Sequence, residues 1–123
     1  MTKKILLVDD DQFIRELYEE ILKNEGFEVD AAQDGKQGLE KILEGGFDLI
    51  LLDVMMPQLD GIGVIRALEK SLPRHKNGPI LLLTNLAHDP VIDEALQKGV
   101  KNCLNKADLT PEDFLHTVQS ALA

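Results

Sequence analysis

The central stretch of the sequence, Leu49-Ile50-Leu51-Leu52-Asp53, consists of four consecutive apolar residues followed by an acid. A strand covered on one face alternates apolar and polar residues, whereas a strand buried on both faces is apolar throughout. Strands of the second kind are typical of parallel sheets with helices on either side. The stretch therefore predicts the central strand of an α/β domain, with an acid at its carboxyl end.

Short apolar runs alternate with longer helical patterns on both sides of this strand. The five predicted strands span Lys4 to Val8, Phe27 to Ala32, Phe47 to Asp53, Pro79 to Thr84 and Asn102 to Lys106. Apolar residues recur at helical spacing after each of them. Five such units predict a doubly wound parallel sheet with five helices, which uses residues 1–123 as one domain.

Apolar stripes and capping residues locate the five helices. The first is predicted from Gln12 to Glu25, with an apolar stripe formed by Phe13, Ile14, Leu17, Tyr18, Ile21 and Leu22. The other four are predicted to begin at Asp34, Asp60-Gly61, Asp89-Pro90 and Thr110-Pro111. At the second helix, Gln37 is expected to reach back three residues in a capping box.

Composition and charge exclude several classes of function. The chain has 123 residues, with 13 Lys and Arg against 22 Asp and Glu, and a net charge of −9. A surface this negative argues against nucleic acid as a partner. No run of about 18 apolar residues is present, and the apolar run before Asp9 is too short for a signal peptide, so the predicted location is the cytoplasm and no membrane contact is expected. Cys103 is the only cysteine, which excludes an internal disulfide and argues against a zinc site.

Polar residues stand where a parallel sheet binds its ligands, beyond the carboxyl ends of the strands. The first strand is followed by Asp9-Asp10-Asp11, and the third, fourth and fifth end in Asp53, Thr84 and Lys106. Each has an ordinary alternative role, because Asp11 can simply cap a helix, lysine is often solvated and threonine is common in strands. Their joint placement at strand ends favours a single site.

Three carboxylates in one place favour a divalent cation. Two carboxylates about 4 Å apart repel by roughly 1 kcal/mol in water and by roughly 4 kcal/mol at an effective dielectric constant of about 20. Mg²⁺ would remove this cost and leave coordination positions for water and a phosphate. A carboxylate beside such an ion can act as a nucleophile toward a phosphoryl group. With Lys106 to neutralise phosphate oxygens and Thr84 to donate a hydrogen bond, the strand ends predict a phosphoryl-transfer site.

The motifs at these positions resemble the receiver domain of bacterial two-component response regulators, of the single-domain, chemotaxis-regulator-like kind. The resemblance covers essentially the whole chain and rests on Ile5 to Asp11, Leu51 to Pro57, Asp60-Gly61, Thr84 and Lys106. It implies a flavodoxin-like fold with the strand order 2-1-3-4-5.

The resemblance also implies a role for each site residue. Asp53 would be the phosphoacceptor, Thr84 the switch hydroxyl and Lys106 the contact to the phosphate. The implied ligands of Mg²⁺ are Asp9, Asp10, Asp53 and the backbone carbonyl of Met55. The implied function is a phosphorelay switch, not a dedicated enzyme, which catalyses only its own phosphorylation and dephosphorylation. Its expected partners are a histidine kinase or phosphotransfer protein and a downstream protein target, and it is expected to be a monomer or a weak homodimer.

The sequence departs from the family pattern at three positions. Ala107 follows the lysine where a proline, often with a cis bond, is usual, and a trans bond is expected because a cis bond before alanine costs about 2.5 to 4 kcal/mol. Cys103 stands where the family has a rotating aromatic side chain, and we expect it to be a small core thiol. Asn85 follows Thr84 where a small residue is usual, which predicts narrower access to the site. Output is therefore predicted to travel through movement of the segment Asn85 to Asp93.

Two apolar residues bear on the lifetime of the phosphorylated state. Met55 and Leu86 resemble family positions that flank the path of the hydrolytic water, and neither can orient water by a strong hydrogen bond. This predicts slow self-dephosphorylation. The alternative is that both side chains only shield loop backbone.

Two other classes of function stay open at this point. A small phosphatase could use Asp9 and Asp11 as a nucleophile pair at the end of the first strand. A receiver-like binding module that is never phosphorylated would fit the departures at Cys103 and Ala107.

Overall fold

The computed structural model describes residues 2–56, 58–85 and 90–123. Its strands are β1 (Lys4–Val8), β2 (Glu28–Ala32), β3 (Leu49–Asp53), β4 (Ile80–Thr84) and β5 (Asn102–Asn105). Its α-helices are α1 (Gln12–Asn24), α2 (Gly35–Glu44), α3 (Gly61–Leu68), α4 (Pro90–Gln97) and α5 (Pro111–Leu122). The strands pair in parallel in the order β2-β1-β3-β4-β5. The α/β class and the strand order implied by the resemblance are both confirmed.

Alternate residues of the strands fill two separate cores, because successive side chains of a strand point to opposite faces. On one face, Leu52 and Leu82 belong to a core completed by α2, α3 and α4. On the other face, Leu51 and Leu83 belong to a core completed by α1 and α5. Residues 49–52 are all fully buried, which confirms the prediction of a central strand covered on both sides.

The fifth strand ends one residue earlier than predicted. Its last residue, Asn105, accepts a hydrogen bond from the Ala107 amide at 3.0 Å and caps a short 3₁₀ turn, Lys106–Asp108. Lys106 therefore belongs to the turn that follows the strand. The second strand begins one residue later than predicted, where the Phe27 amide donates to the Leu22 carbonyl at 3.2 Å and closes the end of α1.

Side-chain caps begin four of the helices. Asp11, Asp34, Asp60 and Thr110 accept hydrogen bonds from the amides three residues later, at 2.8 to 3.2 Å. Gln37 reaches back toward the start of α2, but not to the amide that a capping box would use. Its Oε1 accepts from the Gln33 amide at 2.8 Å, one residue before the cap residue Asp34. The predicted cap Asp89 lies outside the described residues.

The apolar stripe predicted for α1 is too wide. Tyr18 and Leu22 are buried, whereas Phe13 is 73% exposed and Leu17 is 38% exposed. At about 100° per residue, Phe13 lies about 140° around the helix from Tyr18, beyond the face that the sheet covers. None of the helices in the described ranges is long and apolar enough for a membrane span.

Gly61 brings the start of α3 against the end of β3. A Cβ at this position would lie 2.6 Å from the Asp53 carbonyl oxygen, and the Gly61 amide donates to the Val54 carbonyl at 2.8 Å. A larger residue would push α3 away from the strand that carries the predicted acceptor.

Candidate functional site

The register of the sheet brings three acids together. β1 and β3 pair with Val8 opposite Leu52. The residues that come next along the two strands, Asp9 and Asp53, therefore lie side by side. One carboxylate oxygen from each of Asp9, Asp10 and Asp53 lies within 4.8 Å of the others. Asp9 and Asp53 are buried, whereas Asp10 is exposed. The acids predicted from the strand ends therefore form one cluster, in which Asp10 is the exposed member.

Lys106 reaches this cluster from the turn that follows the edge strand β5. Its Nζ lies 2.6 Å from Asp9 Oδ2 and 3.2 Å from Asp53 Oδ2, and its side chain is 12% exposed. Two buried carboxylates thus share one ammonium group. Burial of unpaired carboxylates is unfavourable, and Lys106 offsets part of that cost for both acids.

Backbone amides occupy the remaining carboxylate oxygens. Asp9 Oδ1 accepts from the Asp11 amide at 3.0 Å, and Asp53 Oδ1 accepts from the Met55 amide at 3.4 Å. Both contacts of Asp9 are shorter than the matching contacts of Asp53. Asp53 is therefore the less tightly held of the two buried acids.

Thr84 completes the row of strand ends. β4 pairs with β3 so that Leu83 lies opposite Asp53, and with β5 so that Thr84 lies opposite Asn105. Thr84 is buried at the same carboxyl end of the sheet as the acids, and Lys106 directly follows Asn105, the residue opposite Thr84. The structure therefore places Thr84 beside the row that contains Asp53 and Lys106.

The protonation of the site reflects its burial. Burial raises the pKa of Asp53 to about 6; Lys106 acts in the opposite direction, and the charge of Asp9 adds to the rise. Burial also opposes the charge of Lys106, but its hydrogen bond and charge interaction with Asp9, together with those from Asp53, leave the pKa of Lys106 raised. The ammonium group therefore stays charged at neutral pH.

The donor set suits a hard divalent cation. It consists of oxygen atoms only, and three carboxylates less one ammonium leave a local charge near −2 when all are ionised. Mg²⁺ prefers such ligands and keeps several waters. Within the described residues the Asp10 carboxylate accepts no hydrogen bond, so it is available for a cation on the solvent side. The predicted contribution of the Met55 carbonyl stays a prediction.

Arg15 is a site neighbour that the sequence did not indicate. Its Nη1 donates to the Asp9 backbone carbonyl at 2.8 Å. The residue stands on α1 among charged positions that are typical of a solvated face, and a contact between a side chain and a carbonyl six residues earlier has no local sequence signal.

The three departures from the family pattern have clear positions. Cys103 is half-buried on β5 and packs against the core on the α2, α3 and α4 side, and burial raises the pKa of its thiol. Its predicted role as a core thiol fits this position. The bond before Ala107 is trans, as expected, and Asn85 is exposed.

Met55 lies at the mouth of the site and is 60% exposed. Its predicted counterpart Leu86 lies outside the described residues, and so do the other residues from 87 to 89 of the predicted switch segment Asn85 to Asp93.

Comparison with known proteins agrees with this geometry. Residues 5–119 match the family model described as the response regulator receiver domain. The chemotaxis protein CheY of Treponema pallidum is 39% identical over 122 residues, a match that covers 97% of this chain and 82% of that protein. The transcriptional regulatory protein CpxR of Escherichia coli is 47% identical over 111 residues, 90% of this chain, but this chain spans only 43% of CpxR. A CheY-like receiver domain from Methanospirillum hungatei superposes with a TM-score of 0.86 at 30% identity, over 99% of this chain and 94% of that one.

Proposed function

This chain belongs to the response regulator receiver domain family, and from that premise we propose that its Asp53 carboxylate accepts a phosphoryl group in a magnesium-dependent reaction. The family assigns a signalling switch in a phosphorelay. The observation that carries the assignment to Asp53 is its position, held 3.2 Å from the Lys106 ammonium within a cluster of three acids.

The chemistry follows from the charges around Asp53. A carboxylate oxygen of Asp53 attacks the phosphorus of a phosphohistidine or a small acyl phosphate, a P–O bond forms, and the bond to the donor's leaving nitrogen or oxygen breaks with its electron pair. A leaving imidazole takes up a proton from solvent. Asp9, Asp10 and Asp53, with the Met55 carbonyl, would hold Mg²⁺, which supplies charge neutralisation for the phosphoryl oxygens when bound.

Lys106 and Thr84 act on the phosphoryl group itself. In the resting state the Lys106 ammonium divides its interaction between Asp9 and Asp53. Once Asp53 carries the phosphoryl group, the same ammonium is within reach of a phosphoryl oxygen and neutralises part of its charge. The Thr84 hydroxyl would donate a hydrogen bond to a second oxygen.

That hydrogen bond supplies a route for output. Thr84 is drawn toward the phosphoryl group, and the segment Asn85 to Asp93 is repositioned, which shifts an equilibrium between two states. Cys103 cannot take the part of an inward-swinging aromatic ring, so this route does not require one. Unchanged amide chemical shifts of residues 85–93 on addition of a phosphate mimic would argue against it.

The broader setting is part of the same proposal. Residues 1–123 act as one receiver domain in the cytoplasm, a histidine kinase or phosphotransfer protein is the donor, and a downstream protein is bound in response. The chain acts as a monomer or a weak homodimer and does not bind nucleic acid or membrane.

A phosphatase with Asp9 as its nucleophile is a weaker assignment. Asp9 is completely buried, and both of its carboxylate oxygens are held, by Lys106 at 2.6 Å and by the Asp11 amide at 3.0 Å. A nucleophile needs an accessible lone pair, and Asp53 is held less tightly. A binding module that is never phosphorylated gains no support from a cluster that retains all three acids and the lysine.

Intact mass measurement tests the proposal. The wild-type chain is incubated with acetyl phosphate and Mg²⁺, with and without a chelator, beside Asp53→Ala and the control Asp113→Ala, which alters an exposed acid on α5. A magnesium-dependent gain of about 80 Da, the mass of one phosphoryl group, is expected in wild type and in the control only. An adduct that persists in Asp53→Ala would move the acceptor to another acid, Asp9 first. An adduct in none of the variants, with a phosphotransfer protein also tried as donor, would favour the unphosphorylated module.

A further inference from the structure

Arg15 folds back over the loop that carries two of the three acids. It stands in the first turns of α1, is half-buried, and donates from Nη1 to the Asp9 carbonyl oxygen at 2.8 Å. That oxygen belongs to the peptide that joins Asp9 to Asp10. A guanidinium group is always charged and holds its donors in a rigid plane, so this contact fixes the orientation of the peptide more firmly than a neutral donor would.

The two acids joined by this peptide are held very differently. Asp9 is held by three hydrogen bonds: its amide donates to the Ala32 carbonyl at 3.1 Å, and its carboxylate accepts from Lys106 and from the Asp11 amide. Asp10 is exposed, and among the described residues nothing donates to its carboxylate. The direction of the Asp10 side chain therefore depends on the plane of the peptide that precedes it.

We propose that Arg15 is a positioning residue of the cation site, which holds the peptide between Asp9 and Asp10 so that the Asp10 carboxylate faces the other two acids. The proposal rests on the metal site of the proposed function. It assigns to α1 a part in metal binding through the contact of Arg15 with the loop that carries Asp9 and Asp10.

The charge of Arg15 works against this role, and that conflict makes the proposal testable. A guanidinium near three carboxylates repels a divalent cation, so removal of the charge alone would tighten metal binding. Loss of the hydrogen bond would release the peptide and weaken it. The direction of the change therefore distinguishes a positioning residue from a nearby charge.

Binding of Mn²⁺ to the full chain tests the proposal without any phosphodonor. The free ion is followed by electron paramagnetic resonance during titration of wild type, Arg15→Met and Arg15→Lys. The control Arg74→Met removes an equal charge from an exposed loop residue on the described surface. Loss of a group that orients metal ligands typically weakens binding on the order of tenfold or more, so Arg15→Met is expected to raise the Kd about tenfold. Arg15→Lys, which keeps one donor and the charge, is expected to recover most of the loss, and Arg74→Met to change the Kd less than about twofold.

Combination with Asp10→Asn tests whether Arg15 acts through Asp10. If it does, Arg15→Met raises the Kd less than about twofold once Asp10 no longer contributes a carboxylate. A full tenfold effect in that background would overturn the assignment to Asp10, and equal or tighter Mn²⁺ binding by Arg15→Met alone would overturn the positioning role.

Two results need a separate comparison. If Arg15→Met does not fold, Arg15→Lys is compared with Arg15→Gln: a positioning role requires the lysine variant to bind Mn²⁺ more tightly, whereas a simple charge effect gives the reverse order. If wild type binds no Mn²⁺, the metal part of the proposed function fails and the role of Arg15 fails with it. Equal changes of the Kd in Arg15→Met and Arg74→Met would also overturn the role, because each variant removes one positive charge and the shared effect would come from long-range charge.

Discussion

The chain contains two groups of ion pairs that use the same chemistry in opposite surroundings. At the carboxyl ends of the strands, Lys106 pairs with Asp9 and Asp53, whose side chains are 0% and 7% exposed. Between α3 and α4, Arg66 binds Glu94 through two hydrogen bonds of 2.7 Å, and Lys98 lies 2.8 Å from Glu69. The Arg66–Glu94 pair is bidentate, yet the Arg66 side chain is 58% exposed. We call these two groups the buried cluster and the helix clasp.

The pKa values show what burial changes. In the helix clasp, the hydrogen bond between Arg66 and Glu94 lowers the pKa of Glu94. The same bond raises the pKa of Arg66. In the buried cluster, burial outweighs the lysine and raises the pKa of Asp53 to about 6. Good geometry thus stabilises both charges at the surface, whereas the interior keeps Asp53 poorly compensated. An acid in that condition gains more from a bound cation than a surface acid does, because the cation supplies the compensation that the interior lacks.

Removal of the lysine should have the largest effect. Lys106→Met deletes the one ammonium of the buried cluster, and the rate of phosphorylation by acetyl phosphate with Mg²⁺ is expected to fall roughly a hundredfold or more, as for loss of one charged group that stabilises a transition state. The rate is measured by intact mass against time. Arg66→Met, which deletes a cation of the helix clasp, is the matched control and should leave the rate within about twofold. Equal losses in the two variants would mean that burial of the ion pair has no special role.

The pH dependence of unfolding isolates Asp53. Because its pKa is raised in the folded state, the native protein binds more protons than the unfolded chain between about pH 4 and 6, and the free energy of unfolding falls as the pH rises through that window. A shift from 3.8 to about 6 corresponds to as much as about 3 kcal/mol at pH 7. Urea unfolding of the metal-free chain in a chelator should therefore show Asp53→Asn to be stabilising at pH 7 and near neutral at pH 4. A variant that is destabilised at pH 7 would show that Lys106 compensates Asp53 fully.

The mouth of the buried cluster offers a smaller effect. Met55 is 60% exposed there, and Met55→Asn would add a group that can orient water toward the phosphoryl phosphorus. The rate of loss of the phosphoryl group, again from intact mass, is expected to rise about tenfold. Leu72→Asn places the same amide at a residue that is 93% exposed and distant from the site, and it should leave the lifetime unchanged. No change in either variant would favour the alternative that Met55 only shields loop backbone.

The sequence predicted the buried cluster and missed the helix clasp for one physical reason. Strand ends are ordered by the register of a parallel sheet, so Asp9, Asp53 and Lys106 could be assigned to one edge once the strands were located. Contacts between helices depend on the rotation of each helix, which periodicity defines only coarsely. The bond between Arg66 and Glu94 crosses 28 residues, and no local pattern indicates it. The same uncertainty of rotation explains the misplaced Phe13 and the unexpected contact of Arg15.

A double-mutant cycle on the helix clasp should give the smallest effect. Exposed ion pairs contribute little because solvent screens them and two long side chains must be ordered. Arg66→Met, Glu94→Gln and the double variant are therefore expected to differ in melting temperature by about 2 °C or less, with a coupling that shrinks further in 1 M salt. The measurement is thermal unfolding at pH 7 in the presence of chelator, so that the cation site does not contribute. A coupling free energy as large as the pH effect at Asp53 would mean that bidentate geometry, more than burial, determines the strength of these pairs. The contact between α3 and α4 would then be as strong as the contacts that hold the acids at the strand ends.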